Sequence, residues 1–220
     1  MDSIFNENIR KRRNLLLYHA KIIAIEGIDG SGKTTLVESC VKKLSDMGYK
    51  VSQFHTSSNF NCFWNVVNEG LKNGYIDRDI NQLFHNVAFL TYLNTLFIDE
   101  LNNNDFVIGD WYIYGKMLLS ELYTKNQNCI SKKILIKELK DGNVILPDYS
   151  FFLDTMPEIA FQRIKKRQYI TETKESLEML KYAYNLWEEY LCLYNIQKLD
   201  GNATIKELTE SVISKVFQKK

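Results

Sequence analysis

The chain has 220 residues, 45% of them hydrophobic, enough to bury one sizeable core. Lys and Arg together number 28 against 27 Asp and Glu, for a net charge of +1, so no overall field draws the molecule to nucleic acid or an anionic membrane. No apolar run approaches the roughly 18 residues of a membrane helix and no apolar leader with a cleavage site opens the chain; Cys40, Cys62, Cys129 and Cys192 form no C-x-x-C pair, which speaks against a zinc or redox motif and for free thiols in a cytoplasmic protein.

Residues 1–20 read as an N-terminal extension. The basic cluster Arg10 to Arg13 followed by Leu15 to Leu17 is read as a solvated segment in preference to a nucleic-acid arm, and Asp2 and Glu7 argue against a transit peptide. Residues 21–220 read as a single domain in which short β-branched or aromatic runs alternate with longer helical patterns, the order of a parallel sheet with crossover helices. The candidate strands are Lys21 to Glu26, Tyr49 to Phe54, Asp105 to Asp110, Tyr149 to Leu153 and Asn195 to Leu199. The candidate helices are Lys33 to Met47, Phe60 to Lys72, Ile80 to Asn102, Tyr112 to Tyr123, Ser131 to Lys140, Pro157 to Lys166, Lys174 to Leu193 and Ile205 to Phe217. Thr155 to Glu158 and Thr204 to Glu207 both fit a capping box.

Between the first strand and the first helix, Gly27-Ile28-Asp29-Gly30-Ser31-Gly32-Lys33-Thr34 matches G-x-x-x-x-G-K-[ST], with the strand and the helix that this motif requires. Glycines let such a backbone fold into a nest of N–H groups around a phosphate, and the helix N-terminus adds its positive end. Gly27, Gly30, Ser31, Gly32, Lys33, Thr34 and Thr35 are therefore the candidate nucleotide-binding set. Lys33 is placed to reach the outer phosphates of ATP, and the Thr34 hydroxyl to join a Mg²⁺ shell. Asp110, ending the apolar run Phe106 to Gly109, is the second metal candidate. Capping the next helix is the plainer role for an Asp there; the Mg²⁺ role is preferred because of the phosphate loop.

Four segments resemble the thymidylate kinase family: Ile25 to Thr35, the strand ending Val107-Ile108-Gly109-Asp110, Pro147 to Asp154 with its helix through Arg163 and Arg167, and Leu199 to Ile205. The resemblance implies an α/β, three-layer P-loop kinase fold, a five-stranded parallel sheet with helices on both faces and a short lid near residues 166–174. It implies transfer of the ATP γ-phosphoryl to a nucleoside monophosphate, with dTMP as acceptor, and a homodimer. On this pattern Asp29 lies beside the acceptor sugar and the metal. Arg163 and Arg167 lie at the lid helix, covering adenine and neutralising the transferred phosphoryl, unless this basic run is only the exposed end of a helix. Gly30 occupies the place of an arginine in some members, Asp200 shapes the adenine pocket, and Tyr184 either approaches the acceptor or packs in the core.

The donor side follows the family pattern and the acceptor side departs from it. Thr56-Ser57-Ser58 stands where Arg-Glu-Pro is frequent, and Trp111 before Tyr112 stands where an arginine follows the acidic residue. On the long middle helix, His85 and Phe89 align with the base-stacking aromatic and the base-reading arginine, and Thr91 with a glutamine. Trp, Thr and Phe supply neither charge nor a bidentate fork, so the monophosphate clamp is altered. Lys116 is either an exposed helix lysine or a substitute point charge. The lid offers only Gln168 to Glu172. Two other readings follow from these departures: a relative that phosphorylates another nucleotide, a nucleoside or a specialised metabolite, and a non-catalytic nucleotide-binding protein.

Overall fold

The computed structural model describes residues 18–54, 61–167 and 176–218, with residues 61–64 described by backbone alone. The basic cluster, Thr56 to Ser58 and the lid stretch Gln168 to Glu172 lie outside the described residues.

The strands are β1 (Lys21–Glu26), β2 (Val51–Phe54), β3 (Phe106–Asp110), β4 (Tyr149–Asp154) and β5 (Gln197–Asp200). They form one parallel sheet in the order β2-β3-β1-β4-β5. The described helices are α1 (Lys33–Asp46), α2 (Asn61–Lys72), α3 (Arg78–Leu93), α4 (Leu96–Asn103), α5 (Ile113–Thr124), α6 (Ile130–Lys140), α7 (Pro157–Lys166), α8 (Leu177–Tyr194) and α9 (Ile205–Phe217).

The three layers follow from strand periodicity. Side chains alternate along β1, so Ile22 and Ala24 join one buried cluster with Phe89, Phe97, Ile113, Leu135, Ile164 and Trp187. Ile23 and Ile25 join a second with Leu36, Val37, Leu208 and Val212. Helices α3 to α8 thus cover one face of the sheet, α1 and α9 the other. A strand buried on both faces reads as a continuous apolar run, as Ile22 to Ile25 does.

Two expectations are corrected. The helix read over Ile80 to Asn102 is broken: α3 ends at Leu93 and α4 begins at Leu96. Asn94 and Thr95 donate side-chain hydrogen bonds back to the carbonyls of Leu90 (2.7 Å) and Thr91 (2.8 Å), and this local bonding competes with helix continuation. The break turns Phe97 and Leu101 into the core. The box at Thr155 to Glu158 does not form, since Met156 is the N-cap and no side chain caps α7. Thr155 is wholly buried and donates to the Ser31 carbonyl (3.3 Å). At α9 both bonds of the Thr204–Glu207 box are present.

The order of strands fixes the site. The chain leaves β1 for β2 on one side, and leaves β3 for β4 on the other. The carboxyl ends of β1 and β3 therefore flank the point where the winding reverses, the place where open α/β sheets bind ligands. Ile25 pairs in register with Asp110, which brings the loop after β1 and the carboxylate of β3 to one edge.

Candidate functional site

Lys33 is 5% exposed, and its Nζ donates to the Ile28 carbonyl (2.8 Å). The Asp29 carboxylate lies 3.6 Å away and the Trp111 ring centroid 4.4 Å away. The ammonium is thus clasped by its own loop and faced by an indole, a cation–π contact. Gly32, the N-cap of α1, supplies no side chain to the helix amides. The Ser31 hydroxyl is buried and has no hydrogen-bond partner among the described residues. Uncapped amides, an orphaned hydroxyl and a lysine converging on one loop fit a chain of phosphates. Gly30 is required as glycine, with φ +78° and an added Cβ meeting the Ala160 carbonyl oxygen at 2.4 Å. The loop backbone is seated on α7, which leaves no room for a side chain at that place.

Thr34 donates from its hydroxyl to Asp110 Oδ2 (3.1 Å). A hydroxyl and a carboxylate so placed at the mouth of the loop fit Mg²⁺, a hard cation that takes few protein ligands and keeps several waters. Among the described residues no cluster of three or more His, Cys, Asp or Glu side chains forms a cage, which such an ion does not need.

A cavity of about 390 Å³ opens on the outer side of the loop, lined by Ser31, Gly32, Thr35, Arg163, Arg167 and Gly201 among others. Arg163 donates to the carbonyls of Ser31 (2.8 Å) and Gly201 (3.4 Å), tying α7 to the loop and to the turn after β5. Its guanidinium is a brace between two backbone segments. Asp200 is not on the wall of this cavity: it is exposed, and its carboxylate accepts the Asn202 amide (3.0 Å), so the turn it shapes presents Gly201 and Ala203 instead.

On the other side of Trp111 lies a cavity of about 320 Å³, walled by Asn68, Arg78, Asn81, Gln82, His85, Lys116 and Tyr123 among others. A neighbouring hollow of about 580 Å³ shares Arg78 and Tyr123 with it but is not walled by Trp111, whose ring Lys33 faces, so the chemistry belongs to the smaller one. His85 stands on the wall, its pKa pushed down to about 4 by burial and then by the charge of Lys116. Near neutral pH its imidazole is uncharged and offers one donor and one acceptor. Trp111 adopts φ 55°, rare for a large side chain, and forms part of the wall.

Two sequence assignments are corrected here, and the choice left open for Tyr184 falls to packing against the core. Phe89 is 1% exposed and packs edge-on against Tyr112 (centroids 5.6 Å apart), so it belongs to the core. Tyr112 is fully buried, its hydroxyl given to the Ile145 carbonyl (2.6 Å). Tyr184 donates to Asp154 Oδ1 (2.6 Å) at the end of β4, linking α8 to the sheet away from the cavity.

Sequence reasoning missed the polar wall contributed by Arg78, Asn81 and Gln82. The signal was present, because these residues lie three, four and seven positions before His85 on one face of α3. It also missed Glu26, wholly buried, whose Oε1 accepts the Gly115 amide (3.3 Å) while Oε2 has no hydrogen-bond partner among the described residues. Burial drives its pKa up to about 8, against the Gly115 amide and the Lys33 charge.

Comparison with known proteins gives a family for the chain. Residues 25–212 match a family model described as thymidylate kinase. The chain is similar to a thymidylate kinase of Leptospira interrogans, 27% identical over 87% of this chain and 91% of the relative. It is similar to one of Leptospira borgpetersenii, 31% identical over 74% and 78% of the two chains. A probable thymidylate kinase of Thermoplasma acidophilum is 26% identical over 90% and 98%.

Proposed function

Because this chain belongs to the thymidylate kinase family, we propose that it transfers the γ-phosphoryl group of ATP to the 5'-phosphate of dTMP, giving ADP and dTDP. The observation that carries the reading is the division of space around Lys33, with a phosphate-loop cavity on one side and a polar cavity across the Trp111 ring on the other. An enzyme that joins two anionic substrates end to end needs two such chambers meeting at a cation.

Each residue then has a task. The amides from Gly27 to Lys33 and the Ser31 hydroxyl hold the donor phosphates; Thr34 and Asp110 hold Mg²⁺, which when bound offsets the charge of the phosphate oxygens. Lys33 turns from the Ile28 carbonyl and the Trp111 face toward the group in transfer, and Asp29, 3.6 Å from it, faces the acceptor end. Arg163 keeps the loop registered against the turn after β5, and Arg167, on the wall of the donor cavity, covers the nucleotide. On the acceptor side the neutral His85 and the amides of Asn68, Asn81 and Gln82 present donors and acceptors without charge, as an uncharged pyrimidine edge requires. The nucleophile is an oxygen already ionised on the acceptor, so no covalent enzyme intermediate is needed and catalysis is positioning plus electrostatics.

We further assign the chain to the cytoplasm; no helix of the described residues is long and apolar enough to cross a membrane. A homodimer is our reading of its assembly, supported by Phe84 and Val87, exposed one turn apart on α3. The activity is tested by following ADP release with dTMP, other nucleoside monophosphates, thymidine and phosphate-free metabolites as acceptors. Turnover is expected with dTMP; turnover only with another acceptor would replace the substrate, and ATP binding with no turnover would replace the activity.

A further inference from the structure

Resting on that reading of the two cavities, we propose that Lys116 is the group that takes the acceptor's phosphate, so that this chain holds its acceptor on an ammonium point charge where a guanidinium fork would be expected.

The acceptor cavity has two cationic side chains on its described wall, Arg78 and Lys116. Their positions differ. Arg78 is exposed at the first residue of α3 and also borders the neighbouring hollow, which Trp111 and Lys116 do not line. Lys116 stands in the first turn of α5, half-buried, on the wall it shares with Trp111. Its charge is felt by Asp110 and Glu26 at the sheet edge and by His85 across the cavity, which brackets the ammonium between the metal-binding side and the base-reading side. The phosphate of a nucleotide, with its base among the amides of α3 and its 5' end toward Lys33, has to occupy that interval.

The surroundings suit an anion. The Nζ lies 5.8 Å from the centroid of the buried Phe89 ring, an apolar floor that keeps water from one side of the charge and strengthens its field. The first-turn amide of Gly115 in α5 is already taken by Glu26 Oε1 (3.3 Å), so the lysine ammonium is the cationic group this helix offers to the cavity. Gly115 makes the arrangement possible: a Cβ there would come within 2.6 Å of Trp111 Cε3 and 2.5 Å of Glu26 Oε2. The indole lies against the helix in that gap, its ring facing Lys33.

The test measures binding of dTMP and of thymidine, which differ by the phosphate alone, to the full chain and to Lys116→Met, Lys116→Arg and Arg78→Met, with ADP affinity and melting temperature as controls for folding. In Lys116→Met the preference for dTMP over thymidine is expected to fall by about 10- to 100-fold, the scale of one charged hydrogen bond. Thymidine and ADP affinities should stay within about twofold, and Lys116→Arg should recover part of the preference. A Lys116→Met protein that keeps the wild-type preference, or an Arg78→Met protein that loses it instead, overturns the assignment and leaves the kinase reading standing. Wild-type protein that binds ADP but neither dTMP nor thymidine overturns both.

Discussion

The two chambers around Lys33 are built differently. The donor side is made of backbone: amides of a glycine loop, carbonyls braced by Arg163, and a turn after β5. The acceptor side is made of side chains projecting from α2, α3 and α5. Backbone recognition depends on where the chain runs, so it persists as long as the strand, loop and helix do. Side-chain recognition can be rewritten one residue at a time, and here Trp111 stands where the family resemblance implies an arginine.

The largest effect should come from the point where the chambers meet. Lys33→Ala is expected to lower turnover with dTMP by a factor on the order of 10³ or more, because a preorganised charge on the transferring group is lost. Circular dichroism should show an unchanged fold. A variant within tenfold of wild type would break the division between a backbone-built donor machinery and a side-chain-built acceptor wall.

Phe89→Ala sharpens the same division. As a ring buried at 1% exposure it should cost about 3–5 kcal/mol of stability, read as a fall in melting temperature or denaturant midpoint. The dTMP KM of the folded fraction should rise by only a few-fold, since the ring touches no ligand and only floors the Lys116 ammonium. A KM raised tenfold at unchanged stability would return Phe89 to the base-binding wall.

How much of this could be read from the sequence follows the same boundary. The phosphate loop, Asp110 and the five strands were legible because local spacing specifies them: a glycine motif needs only its strand and helix, and Ile22 to Ile25 needs two apolar faces. Thr155 was misread because its buried hydroxyl is claimed by the Ser31 carbonyl, a partner far away in the chain. Phe89 and Tyr112 were misassigned, and Tyr184 was left between two readings, for a related reason. An aromatic at helical spacing has the same pattern whether it faces a ligand or a core, and only the packing of α3 against α5 and of α8 against β4 decides between them. Glu26 was quoted as part of a motif, but nothing in the sequence marks a carboxylate whose solvent has been removed.

Glu26 supplies the smallest of these effects and the most direct probe of the seam between the chambers. Its carboxyl is raised from an ordinary 4.5 to about 8, first by burial. A raised carboxyl favours the folded state while protonated, so its contribution is complete below about pH 4.5 and is lost as pH climbs through about 8. His85 is lowered from 6.5 to about 4 and acts in the opposite sense, raising stability between those values and then no further. Lys116, lowered from 10.5 to about 8, begins to contribute only above that pH. Between pH 6.5 and 8 the slope therefore belongs to Glu26 among these three groups. Unfolding free energy of the ligand-free protein should fall there by up to about 1.4 kcal/mol per pH unit, the value for one proton. Glu26→Gln should flatten that slope, and the donor loop should keep its ADP affinity, since the loop's phosphate contacts are drawn from amides and hydroxyls that this carboxyl does not hold. An identical slope in the two proteins would mean that Glu26 is already ionised in the fold, compensated by Lys33 and Lys116, and that the seam carries a buried charge pair in place of a neutral acid.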